Sequence, residues 1–319
     1  MNSNKVVKYL FDNRYRTLVN ANLGLYNCLP DKAFLEKKFH AEFGYPIDFD
    51  NPRTFNEKLQ WLKLYDHNPL YIKLVDKYLV RDHIAQTIGE EYLIPLLGVW
   101  DSPDEIDFDS LPNRFVLKCN HNSGKGMCIC KDKSKLDYKK VKLSLKKGLK
   151  ENYYAHGREW PYKDVPRKVI CEKYISDNGS DDVLSDELKD YKLMCFNGKV
   201  KCSFVCADRF TGKGLHLSFF DREWKEMPFE RSYPRIETEV PRPLNYERMV
   251  YLAEKLATDI PFVRVDFYES GGKIYFGELT LFPGGGYEQF SPEEWDLTLG
   301  DWINLPAKKR GADVFFNRC

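Results

Sequence analysis

VRVDFYESGGKIYFGELT, residues 263–280, reads as two strands folded back on each other. In Val263-Arg264-Val265-Asp266-Phe267 apolar and polar residues alternate, the period of a half-buried strand. Gly271-Gly272 supplies a tight turn, and Lys273-Ile274-Tyr275-Phe276-Gly277-Glu278-Leu279 forms the returning arm. Folding the hairpin brings Asp266 and Glu278 together on one face. Two carboxylates at close range repel unless a cation or a shared proton separates them. Oxygen ligands on neighbouring strands suit Mg²⁺, which takes one or two protein carboxylates plus substrate phosphates. Two solvated acids on an exposed hairpin are the plain alternative.

Outward from the hairpin, the chain alternates short strands with a few helices. Its 319 residues allow two domains or one large multi-lobed enzyme. Lys and Arg number 49 against 48 Asp and Glu, a balance that predicts no broad nucleic-acid-binding face. No apolar run approaches the roughly 18 residues of a membrane span. The first residues, MNSNKVVKYLFDNRYRT, lack the apolar core and cleavage site of a signal peptide. The nine cysteines include no CxxC pair, and several lie in strand-like runs. Buried thiols in a reducing cytoplasm are therefore expected rather than zinc or disulfides.

Residues 53–90 read as helical, with Thr54 or Asn56 as a cap and a second helix over 75–89 ending at Gly89. The acidic, turn-rich stretch 101–113 reads as a linker. FVLKCNH and MCICK are strands around a Gly-containing loop, followed by a Lys-rich helix over 135–151. KVICEKYI and YKLMCFNGKVKCSFVCAD add strands, the latter turning at Asn197-Gly198. LNYERMVYLAEKLATDI is an amphipathic helix. The pattern predicts an α+β protein rather than a doubly wound parallel sheet.

A second chemical stretch is FVLKCNHNSGKGMCICK. Lys118 ends a strand, and the loop Asn120-His121-Asn122-Ser123-Gly124-Lys125-Gly126 offers small residues whose backbone N–H groups can approach anions. It is not a Walker A loop, because the first glycine and the closing Ser or Thr are missing. Lys77, Glu172-Lys173 and Asp190/Lys192 are each ordinary charged positions when taken alone.

Their order along the chain resembles the ATP-grasp superfamily, and specifically its TupA-like branch of teichuronopeptide biosynthesis, from about residue 50 to 300. Asp76-Lys77 and Phe115-Val116-Leu117-Lys118 resemble the two lysine segments that hold ATP phosphates. Ser123, Gly124, Lys125 and Gly126 resemble the phosphate-covering loop. Glu172-Lys173-Tyr174-Ile175 resembles the interlobe hinge that hydrogen-bonds adenine. Asp190-Tyr191-Lys192 is similar to an Asp-x-basic motif, implying Asp190 near ribose and Lys192 near phosphate or acceptor. Arg264-Val265-Asp266 resembles the Arg-x-Asp metal strand. Glu278-Leu279-Thr280, followed by Phe282-Pro283-Gly284-Gly285, resembles Glu-x-Asn and a Pro-Gly turn, with Thr280 in place of Asn.

The resemblance implies an ATP-grasp fold of two α+β lobes clamping ATP, with a short, mostly helical N-terminal region. The implied boundaries are 1–105 for that region and 106–319 for the ATP-grasp domain. The nucleotide lobe would cover about 106–175 and the metal and acceptor lobe about 176–319. It further implies a cytoplasmic carboxylate–amine ligase that uses ATP and Mg²⁺ through an acyl phosphate. Lys77 and Lys118 would clamp phosphates, Asp266, Glu278 and Thr280 would hold metal, and Arg264 with Lys192 would serve the reacting groups. Gly284, Gly285 and Gly286 would permit close backbone approach and loop closure. The implied partners are a carboxylate acceptor, such as a uronic-acid glycan, and an amine donor, in association with membrane-linked glycan machinery. His121 would sit in the phosphate loop. The stretch around His156, Arg158, Glu159 and Trp160 would line the acceptor pocket or form a structural loop. A hydroxyl-directed ATP-grasp kinase, a metal-dependent glycosyltransferase and a non-catalytic nucleotide-binding scaffold are the alternatives.

Overall fold

The computed structural model describes residues 3–176, 188–207 and 214–308. The chain forms two compact units interleaved in sequence. The first comprises Met1–Asn68, Asn152–Lys163 and Phe282–Cys319; the second comprises Pro69–Glu151 and Asp164–Leu281. The expected boundary after residue 105 is a cut along the chain, whereas contacts in space group residues far apart along it.

The first unit is helical: α1 (Ser3–Phe11), α2 (Asn13–Asn22), α3 (Asp31–Phe43), α4 (Phe55–Tyr65), the short α8 (Tyr153–Gly157) and α10 (Glu294–Asp301). Thr54 begins α4 as expected. Its hydroxyl accepts from Glu57 N while the Glu57 carboxylate accepts from Thr54 N, closing a capping box. Helix α4 is buried on nearly every side, and even Lys63 is only 2% exposed. Burial lowers the Lys63 pKa to about 7, opposed by Glu159, and Gln60 Oε1, Gly157 O and Gly285 O accept hydrogen bonds from its ammonium at 2.9, 2.8 and 2.6 Å. Gln60 in turn donates to Gly286 O at 2.6 Å. A Cβ on Gly286 would lie 2.5 Å from Gln60 Nε2, and its φ is +67°. The glycine turn therefore admits this close approach within the first unit.

The second unit holds two antiparallel sheets. One has the order β1 (Leu96–Trp100), β4 (Val169–Lys173), β2 (Phe115–Cys119), β3 (Cys128–Cys130). The other runs β10 (Lys273–Thr280), β9 (Phe262–Ser270), β5 (Asp190–Phe196), β6 (Lys199–Ala207), β7 (His216–Asp221). Helices α5 (Leu70–Val75), α6 (Val80–Thr87), α7 (Tyr138–Leu149) and α9 (Tyr246–Leu256) belong to the same unit, as does the two-residue strand β8 (Glu230–Arg231). The α+β expectation is borne out.

Two local expectations change. Residues 101–113 are no linker: Ile106, Phe108 and Leu111 are buried in one cluster with Phe115, Leu117, Leu145 and Val169. Three apolar anchors in an acidic background suffice to fix the segment to a core. The helix expected over 75–89 is broken at Asp76. Its Oδ1 accepts from Tyr78 N at 2.8 Å and Leu79 N at 3.2 Å, ending α5 and leading into α6. Among the described cysteines no disulfide forms, and Cys119, Cys130, Cys171, Cys195 and Cys202 are buried thiols. Cys319 lies outside the described residues.

Candidate active site

The hairpin forms as its alternation predicts. Val263, Val265 and Phe267 are fully buried on one face of β9, which turns Arg264 and Asp266 to the other. On β10, Ile274 and Phe276 are buried, but so is Leu279, an odd step after an even one. A bulge between Phe276 and Glu278 accounts for the shift. Gly277 sits in it because a Cβ there would meet Asp266 O and Tyr268 Cε2, each at 3.1 Å. Beyond the bulge Glu278 lies opposite Asp266, and Thr280 opposite Arg264. On the neighbouring strand β5, Lys192 lies opposite Asp266. Asp190, Lys192, Arg264, Asp266, Glu278 and Thr280 thus share one face of three adjacent strands.

The cation between the two acids is supplied by the protein. Arg264 Nε donates to Asp266 Oδ1 at 2.6 Å, and its Nη2 donates to Asp266 Oδ2 at 2.7 Å and to Glu278 Oε1 at 2.9 Å. Lys192 bridges Asp266 and Asp190, with a 2.6 Å contact to the latter. Thr280 donates its hydroxyl to Glu278 Oε1 at 3.2 Å. Asp266 is 1% exposed, so its charge is viable only because two cations satisfy it.

Lys77 joins this face from the break between α5 and α6. Its ammonium donates to Asn122 O at 2.8 Å and lies 3.8 Å from Glu278 Oε2. Asp76 and Asn120 set that position: Asn120 Nδ2 donates to Asp76 Oδ1 at 2.9 Å, and Lys77 N to Asn120 O at 3.1 Å. On the four-stranded sheet, Lys118 Nζ pairs with Glu172 Oε2 at 2.6 Å, and Arg81 donates to Glu172 Oε1 at 3.3 Å. The Glu172 carboxylate, expected toward adenine, is here engaged by these two cations.

Electrostatics tie these groups together. Burial pushes the Glu278 carboxyl up, but Lys77, Arg264, Lys192 and Lys118 outweigh it and bring it from the ordinary 4.5 down to about 2. Burial pulls Lys77 down, opposed by Glu278. Burial also disfavours the Lys192 ammonium, yet Asp190 and Asp266 carry it above its usual range. Asp190 is raised by burial against the pull of Lys192. Its Oδ1 is buried without a hydrogen-bond partner among the described residues.

The loop candidates behave differently. Ser123, Gly124 and Lys125 are exposed, and Lys125 pairs with Glu151 at 2.6 Å. Gly124 has φ +80° with open space where a Cβ would be. Gly126 is packed: a Cβ there would lie 2.8 Å from Cys119 Sγ and 3.0 Å from Gly148 Cα, so this glycine seats the loop on α7. Lys173 is exposed with its N–H on Pro95 O, and Ile175 is half-buried. His121 is buried, with Nε2 at 3.2 Å from Glu151 O. His156 belongs to the first unit, where its carbonyl accepts from Lys38. Of the residues that shape this face, Arg81 is missing from the sequence-derived set, and Asp76 and Asn120 appear there only as members of their motifs, without the positioning role they take here. Asp76 carried a signal, as an acid preceding a helix; Arg81 carried none beyond its charge.

No curated protein matches the chain. Among solved structures it is similar to D-alanine–D-alanine ligase from Bacillus anthracis, with 18% identity over 66% of this chain and 57% of that one, at a TM-score of 0.36. The chain therefore matches just over half of that enzyme's length. D-alanine–D-alanine ligase from Helicobacter pylori aligns at 15% identity over 79% and 69% of the two chains, with a TM-score of 0.40. The ATP-grasp ligase PsnB, complexed with a precursor variant, Mg and ADP, aligns at 10% identity over 88% and 72%, with a TM-score of 0.41. The family described as TupA-like ATP-grasp matches residues 57–304, a span that contains every residue of the charged face and the lysines beside it. By that match the chain belongs to the TupA-like ATP-grasp family.

Proposed function

We propose that the protein is an ATP- and Mg²⁺-dependent carboxylate–amine ligase. One observation carries the reading: Lys77, Lys192, Arg264, Asp190, Asp266 and Glu278 form a connected set of charges on and beside one sheet face. Such a face has cations for phosphate oxygens and hard oxygen donors beside them. Asp266, Glu278 and Thr280 fit a small divalent ion: two carboxylates and a hydroxyl, all oxygen. Among the described residues no group of three or more His, Cys, Asp or Glu side chains forms a metal site alone. An ion held here would take further ligands from phosphate and water. When bound, Mg²⁺ supplies neutralisation of phosphate charge.

In this reading Lys77 and Lys118 hold phosphate oxygens by charge-assisted hydrogen bonds. Asp190 Oδ1, which has no hydrogen-bond partner among the described residues, accepts from a ribose hydroxyl. Ser123, Gly124, Lys125 and Gly126 cover the phosphates, and Glu172, Lys173 and Ile175 face the base. A substrate carboxylate oxygen attacks the γ-phosphorus and ADP departs. An amine then attacks the acyl carbon, phosphate departs, and the amine loses a proton. Arg264 and Lys192 stabilise the anionic acyl phosphate and the oxyanion that follows. The acceptor is a uronic-acid carboxylate and the nucleophile an amino acid or amino sugar, as in surface-polysaccharide biosynthesis.

The test is an ADP-release screen over uronic acids and amines, with hydroxylamine as a substitute nucleophile. Ligation predicts a hydroxamate by mass spectrometry. A stable phosphate ester without hydroxamate would instead select hydroxyl phosphorylation.

A further inference from the structure

Helix α7 concentrates lysine on the side that faces solvent. Residues 138–150 hold six of the chain's 49 basic residues and none of its 48 acids. On the inner side Val141, Leu145 and Gly148 are buried, and Leu145 belongs to the cluster of Phe115 and Leu117. Advancing about 100° per residue, Lys146, Lys139, Lys150, Leu143, Lys147 and Lys140 fall in that order within about 120° on the opposite side. All five lysines of this arc are exposed, and Leu143 at its middle is 58% exposed.

The protein itself does little to balance these charges. Lys140 lies 3.6 Å from Asp137 and Lys146 2.7 Å from Asp104, both exposed pairs that water and salt screen. Lys139, Lys147 and Lys150 make no ion pair among the described residues. Within the helix, Lys142/Lys146 and Lys146/Lys150 are four apart, and Lys139/Lys142 and Lys147/Lys150 three apart, spacings at which like charges repel. Lys146 and Lys147, in the last turn, suit the helix dipole, but Lys139 and Lys140, in the first, oppose it. A partner of opposite charge would relieve this repulsion.

The make-up of the arc identifies that partner. Every cation in it is a lysine, so it has no planar fork for a bidentate grip on a phosphate held in place. It carries no aromatic ring for stacking on a base, because Tyr138 lies off the arc, stacked on Phe108 at 4.4 Å. Flexible ammonium groups suit mobile lipid headgroups. Leu143 among them is matched only where apolar chains lie beneath the negative charges. A second copy of the chain would oppose lysine to lysine. We propose that this arc of α7 docks the protein peripherally on an anionic bilayer. Lys118 alternates with Leu117 on β2 and points away from α7, so docking leaves it clear. The proposal does not depend on the ligase reading.

The experiment is co-sedimentation of the full chain with phosphatidylcholine vesicles, with and without roughly one-quarter phosphatidylglycerol. Binding is expected only to the anionic vesicles and should weaken as salt rises. The triple variant Lys139→Glu, Lys147→Glu, Lys150→Glu should reduce partitioning roughly a hundredfold. Leu143→Gln, which keeps every charge, should reduce it roughly threefold or more. A thermal-unfolding curve matched to wild type establishes that each variant folds. Absence of binding to the anionic vesicles overturns the proposal, whether or not the chain then binds single-stranded DNA or forms a dimer. Vesicle binding that either variant leaves unchanged overturns it equally.

Discussion

At the scale of single residues, Asp266 and Glu278 are chemically alike and physically different. Asp266 is enclosed and shared by Arg264 and Lys192, while Glu278 is half-buried at the margin of the same network. Removing the Asp266 charge leaves two enclosed cations without it. Asp266→Asn should therefore cost about 3 kcal/mol or more in urea unfolding, and Glu278→Gln about 1 kcal/mol or less. Equal costs would mean that Asp266 is not the centre of the network. Glu278 also has a pH signature. Its folded pKa is lowered, so its stabilising contribution is complete above the ordinary 4.5 and is lost as pH falls toward about 2. An NMR titration of the carboxyl carbons, assigned with Glu278→Gln, should find its midpoint below the ordinary 4.5. A midpoint at 4.5 would remove the four cations as its neighbours.

At the scale of elements, the hairpin was legible because strict alternation and Gly271-Gly272 leave little choice of register. The approach of two acids followed from it, and so did the need for a cation. That Arg264 meets the need depends on side-chain reach across a bulge, which alternation does not encode. The bulge had one trace, the shift of burial from Phe276 to Leu279. Gly277→Val tests it. The added side chain must displace Asp266 O or the Tyr268 ring, costing about 1–3 kcal/mol. ATP affinity should fall with it; an unperturbed variant would show that the bulge has slack. The other misreadings came from local composition. Acids at 101–113 masked Ile106, Phe108 and Leu111, and good helix formers on both sides masked the Asp76 break.

At the scale of the molecule, the sequence carried the family and the α+β class but not the interleaving of the two units. That depends on long-range bonds such as those from Lys63 to Gly157 and Gly285, which no local pattern announces. Among the described residues no helix is long and apolar enough to cross a membrane. The residues assigned to ATP lie in the second unit, and the proposed ligase requires that its lysines and acids receive a nucleotide. Titration calorimetry with ATP and Mg²⁺, run beside a UDP-sugar on wild type and Lys118→Ala, tests this most directly. The prediction is that ATP binds, that the UDP-sugar does not, and that Lys118→Ala weakens ATP by about 1.5–3 kcal/mol. Equal ATP affinity in the two proteins, or binding of the UDP-sugar in place of ATP, would contradict it.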